Sequence, residues 1–107
     1  MKPVLTVLAA LAALPAAARD CTFATECFEA EACADTQFSV TISDDGTTLV
    51  TDFGDLAVVF ADGPVLVAQD ANATYLLTDL PEGARLSTQM TGSPMVVTYL
   101  GQCEAAE

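Results

Sequence analysis

The side chains able to do chemistry in this sequence are its four cysteines and its 15 carboxylates. Cys21, Cys27 and Cys33 stand close together with five residues between neighbours, and Cys103 nearly closes the chain. Thiols in such a pattern can be metal ligands, a thiolate nucleophile or disulfides. Zinc centres favour cysteines about two to four residues apart, usually with histidine. The chain has no histidine, which also removes the commonest group for activating a cysteine or serine nucleophile. What remains is two disulfides, which makes the cysteines structural staples of a secreted chain.

Paired carboxylates can hydrolyse glycosides, one acting as acid and the other as base or nucleophile. Yet Asp44, Asp45, Asp62, Asp70 and Asp79 fall where turns are expected, and aspartate favours turns because its side chain bonds the backbone just ahead of it. For calcium, Asp52, Asp55 and the Asp44-Asp45 pair are candidates to bring oxygen ligands to one rim. No D-x-D-x-D loop or suitably spaced bidentate glutamate accompanies them. A Gly-rich phosphate loop and a nucleotide fingerprint are also missing. The expectation is therefore a protein that is not an enzyme and has no metal and no cofactor.

Lys2, an apolar run over residues 4–14 and the small residues Ala16-Ala17-Ala18 have the layout of a secretory leader, so residues 1–18 are read as a signal peptide. The apolar run is too short to cross a bilayer of about 30 Å as a helix. Cleavage after Ala18 leaves Arg19 and Arg85 as the basic residues and takes the formal charge from −12 to −13. Such a surface repels nucleic acid and anionic membranes, and the complementary partner is a basic protein. The disulfides require an oxidising compartment, and the alanine-rich leader points to the bacterial periplasm. Asn72-Ala-Thr74 matches a glycosylation acceptor, which matters only in a eukaryotic secretory pathway.

These residues have to be positioned by β structure. From Gln37 onward, short apolar runs alternate with turn residues, the pattern of an all-β chain. Phe38, Val40 and Ile42 alternate with polar residues, and Ser43-Asp44-Asp45-Gly46 follows as a hairpin turn. The pattern predicts strands over residues 38–42, 47–52, 56–60, 65–68, 74–78, 85–90 and 95–100, with residues 22–26 as a further, first strand. Short turns make successive strands antiparallel neighbours. The fold expected is a small antiparallel meander of seven to eight strands, a barrel or sandwich stapled by two disulfides. It forms one domain over residues 19–103, with a frayed tail over 104–107. Phe38, Phe60, Tyr75 and Leu86 are expected inside, and their bulk favours a filled core. Residues 25–34 are ambiguous, since Phe28-Glu29-Ala30-Glu31-Ala32 also suits a short helix.

Strand parity gives the cysteines a geometry. With eight strands in a closed barrel, Cys21 and Cys103 share one rim on adjacent strands, while Cys27 and Cys33 share the other. That pairs Cys21 with Cys103 and Cys27 with Cys33. A regular helix over residues 27–33 would instead separate its two cysteines by roughly 9 Å along the axis, too far to bond. Cys21–Cys33 with Cys27–Cys103, or Cys21–Cys27 with Cys33–Cys103, would then apply.

Two stretches suit recognition loops, residues 80–85 and 91–94, with Arg85 and Ser93 as candidate partner contacts. The signal peptide, the cysteines near both ends and the β domain between them resemble the layout of small secreted proteins of Gram-negative bacteria. The same layout is similar to the periplasmic inhibitors of C-type lysozyme, small disulfide-tied β barrels that meet a strongly basic enzyme. That family inhibits through a serine-glycine loop and a nearby lysine. Here the order is Gly92-Ser93 and the mature chain has no lysine, so no residue is carried over. The expected function is a non-catalytic, acidic binding or interaction module of the periplasm. Its sharper alternatives are an inhibitor of a basic enzyme and a carrier of a small ligand inside a barrel.

Overall fold

Eight strands run in chain order around one sheet whose last member hydrogen-bonds its first, giving a closed barrel. They are β1 (Arg19–Phe28), β2 (Ala34–Ile42), β3 (Thr48–Thr51), β4 (Gly54–Asp62), β5 (Val65–Gln69), β6 (Ala73–Leu80), β7 (Gly83–Met90) and β8 (Val96–Ala105). They are seen in a computed structural model that describes residues 18–106. The expected signal peptide, apart from Ala18, lies outside the described residues. Every neighbouring pair is antiparallel, so the all-β meander is as expected and the barrel is the form it takes.

Alternation along the strands explains the closure. Cys21, Phe23, Phe38, Val40, Leu49, Leu56, Leu66, Ala68, Tyr75, Leu77, Ala84 and Leu86 are buried together in one core. Their neighbours along β1, β2 and β7 are largely polar and face outward, whereas β3 and β6 also turn Val50 and Leu76 outward. A closed barrel also leaves no edge strand with unpaired backbone groups. The seam between β1 and β8 is the one contact between chain ends, and a disulfide holds it. Cys21 faces Cys103 in register, and the two are bonded with their Cα atoms 3.9 Å apart. Cys27 bonds Cys33. The pairing derived from parity is therefore the one present.

The short helix considered for residues 25–34 does not form. β1 runs on to Phe28, and a tight turn follows in which the Glu31 amide donates to the Phe28 carbonyl at 2.8 Å. The turn lets Cys27 and Cys33 approach. The tail expected to fray from residue 104 is partly strand: Glu104 and Ala105 pair with Asp20 and Arg19.

Two bulges interrupt the alternation. One lies at Ala24, where the register shifts between Phe23 and Thr25. The other lies at Val59, between Val58 and Phe60. An extra residue on one strand reverses the facing of everything after it. Phe38, Tyr75 and Leu86 are inside as expected. Phe60 is not: the second bulge turns it outward, where it is 53% exposed and stands opposite Val67.

Candidate functional site

The barrel has two unlike ends. At the end where β1 begins, Arg19 lies across the rim and forms a two-pronged ion pair with Asp79, Nε to Oδ2 at 2.7 Å and Nη2 to Oδ1 at 3.2 Å. Planar guanidinium and carboxylate match in this geometry. With the Cys21–Cys103 bridge beside it, this end is plugged. Asp79 is thus a strand residue of β6 with an ionic partner, not the turn residue its sequence context suggested.

The opposite end is open. A cavity of about 400 Å³ enters the barrel between the loops, and Phe28, Leu56, Tyr75, Met90, Val97 and Tyr99 are among its walls. Phe53 and Met95 overhang it from the β3–β4 turn and the β7–β8 connection. Phe53 is 82% exposed, yet its ring stacks on Phe38 at 6.1 Å between centroids. Phe38 stacks in turn on Tyr99 at 4.7 Å, and Phe23 lies below both. An aromatic column therefore runs from the filled core to the mouth. The cavity exists because small or polar residues, Thr51, Ala73 and Thr88, occupy inward positions at this end, where leucines fill the other half.

The loops around the mouth are tied to one another. Thr51 Oγ1 donates to the Gly54 carbonyl at 2.8 Å and accepts the Phe53 amide at 3.0 Å, which fixes the turn that carries Phe53. Asp70 Oδ1 accepts the amides of Asn72 and Ala73 at 2.7 and 2.8 Å, the turn role expected for it. The Thr91 hydroxyl donates to the carbonyls of Ala71 and Asn72, joining two loops. The Val96 amide donates to Glu29 Oε2 at 3.2 Å, joining the Cys27–Cys33 turn to β8.

The bulge at Ala24 decides what else faces the mouth. Beyond it the register sets Glu26 opposite Tyr99 and Phe28 opposite Val97. Opposed residues share a face of the sheet, so Glu26 and Phe28 turn inward with Tyr99 and Val97. Burial first, and then the Glu26 carboxylate beside it, push the Tyr99 phenol up to about 12. Burial and then the charge of Asp70 push the Tyr75 phenol up as well.

The other expected sites fare differently. Asp44 and Asp45 sit in the β2–β3 turn at the plugged end, whereas Asp52 and Asp55 sit around the β3–β4 turn at the open end. The four do not share a rim, and the calcium arrangement is not formed. No group of three or more metal-ligating side chains occurs among the described residues. Asp45 accepts hydrogen bonds from the Ser43 and Thr47 hydroxyls and the Thr47 amide, which hold its carboxyl below the usual range. Arg85 projects from the outer wall of β7, and Ser93 lies in the connection at the open end, where its hydroxyl accepts the Met95 amide at 3.3 Å. The length of β7 from Arg85 to Met90, roughly 17 Å, separates the two, so they do not form one contact patch.

Sequence reasoning did not find the mouth. Its residues come from β1, the β3–β4 turn, β6, β7 and β8, and no local motif links them. No protein-family model, curated protein or solved structure matches the chain.

Proposed function

We propose that this chain is a non-catalytic binding module of the bacterial periplasm that holds a small, mainly apolar ligand in the open mouth of its barrel. One observation carries the reading: a barrel filled and plugged at one end is left open at the other, behind a wall of aromatic rings and methionines. Ligand sites are commonly concave, apolar and of this size. Methionine adds a flexible, polarisable surface that adapts to different shapes.

The surroundings fit. Two disulfides belong to an oxidising compartment. The outward positions of β1, β2 and β7 are largely polar, whereas a barrel crossing an outer membrane turns an apolar band outward all the way round. The hydrogen bonds that tie the loops around the mouth to one another favour a preformed site.

Native mass spectrometry of the oxidised protein purified from periplasm tests this. A small-molecule adduct is expected on the native chain and absent from Val97→Trp, which fills the mouth. The reading fails if no adduct appears and no aromatic probe moves the methyl signals of Met90 and Met95.

The acid excess favours a second reading, capture of a basic protein. Saturable inhibition of lysozyme that weakens with salt would support it, and no inhibition at low salt would remove the enzyme-inhibitor version.

A further inference from the structure

The mouth is not electrically neutral. Glu26 faces inward beside Tyr99, one inward position below Phe28 and Val97, which line the cavity. Asp70 is part of the cavity wall, and Glu29 and Asp52 stand on the loops around it. The two basic residues among the described ones are elsewhere. Arg19 is at the plugged end and paired with Asp79. Arg85 projects outward from β7, nearer that end than the mouth. Among the described residues, a ligand entering the mouth therefore meets aromatic faces and carboxylates and no compensating positive charge.

This arrangement discriminates among ligands of one shape. An anion is repelled. A neutral apolar molecule displaces water from the mouth beside Glu26 and Asp70, carboxylates that have no cationic partner among the described residues, which is costly. A cation with an apolar body avoids that cost. Its charge compensates Glu26, and it also lies against ring faces, whose quadrupoles attract cations. Phe28, Phe53, Tyr75 and Tyr99 supply such rings around one space, and Met90 and Met95 are placed to cover an alkyl or aromatic substituent.

Resting on the reading of the mouth as a ligand site, we infer that its ligand is an organic ammonium cation bearing an aromatic or branched alkyl group, held by the aromatic wall with Glu26 as counter-ion. The ring quadrupoles attract the positive charge, and the carboxylate reinforces its sign.

Two probes of nearly equal shape separate the possibilities on the unmodified protein. Phenyltrimethylammonium carries the charge, and tert-butylbenzene is its neutral counterpart. Each is titrated while the methyl signals of Met90 and Met95 are followed by NMR. The cation is expected to bind about ten-fold more tightly than the neutral probe, as a cation–π contact together with a counter-ion would give. Added salt should narrow the gap, and Glu26→Gln should close most of it. If the neutral probe binds as well as the cation or better, the cation inference is overturned and the mouth remains an apolar site. If neither probe moves the methionine signals, the mouth is not a site for small molecules and both readings fall. The comparison on the unmodified chain decides the matter whether or not Glu26→Gln folds.

Discussion

Cys21 and Cys103 face each other across the β1–β8 seam, and their disulfide covalently joins the first and last strands of the barrel. All other strand neighbours are joined by the chain itself through short connections. This pair alone closes a long loop, 82 residues in sequence separation. The bond between Cys27 and Cys33 closes only six.

The two bridges therefore differ in what they contribute. Constraint of the unfolded chain grows with loop length, so losing Cys21–Cys103 is expected to cost about 4 kcal/mol and losing Cys27–Cys33 about 2. Urea unfolding of the Cys21→Ser/Cys103→Ser and Cys27→Ser/Cys33→Ser double variants measures both. Equal losses would mean that the seam is held by its hydrogen bonds and packing, not by the disulfide.

Gly101 lies opposite Phe23, just where β1 bulges. A Cβ there would run into the Thr22 carbonyl oxygen and come within 2.6 Å of the Phe23 Cα, both backbone atoms that cannot rotate away. Gly101→Ala is expected to destabilise the barrel by about 3 kcal/mol, at the upper end of overpacking effects. Gly92→Ala meets open space and serves as the control, with no measurable loss in the same unfolding experiment.

The bulge at Val59 makes opposite predictions for two phenylalanines. Phe38 is buried among aromatic neighbours, and Phe38→Ala should cost about 3 to 5 kcal/mol. Phe60 is on the outer wall, so Phe60→Ser should change stability by less than about 0.5 kcal/mol. A large loss at Phe60 in thermal unfolding would place it inside and remove the bulge.

Tyr99 ties the mouth to pH. A phenol raised to about 12 in the folded state stays protonated where the unfolded chain, near 10, ionises. Its contribution to stability is whole below about pH 10 and is lost as pH rises toward 12. Absorbance at 295 nm should show a late-titrating tyrosine, and unfolding midpoints should fall over the same interval. Burial is the larger cause and Glu26 the next, so Glu26→Gln should move that titration down without restoring it to the ordinary value.

The fold was largely legible in the sequence because its signals are local. The alternation at Phe38, Val40 and Ile42, the Asp-Gly turn and the short connections each involve a few consecutive residues. Together they allowed parity to place Cys21 beside Cys103. The candidate site was not legible, and Phe60 and Glu26 show why. Each follows a bulge, and one extra residue exchanges the inner and outer faces of a strand. Ala24 and Val59 carry no glycine or other turn residue that marks such a bulge. Composition, turn chemistry and strand parity thus determined that the chain is a disulfide-closed antiparallel β protein. Only the tertiary structure decided where bulges reverse the facing of a strand, which end is plugged by Arg19 and Asp79, and that Glu26, Tyr75, Tyr99 and Phe53 come together at one mouth. The physical reason is register: it is set by packing and hydrogen bonding between strands distant in sequence, which no single stretch of residues contains.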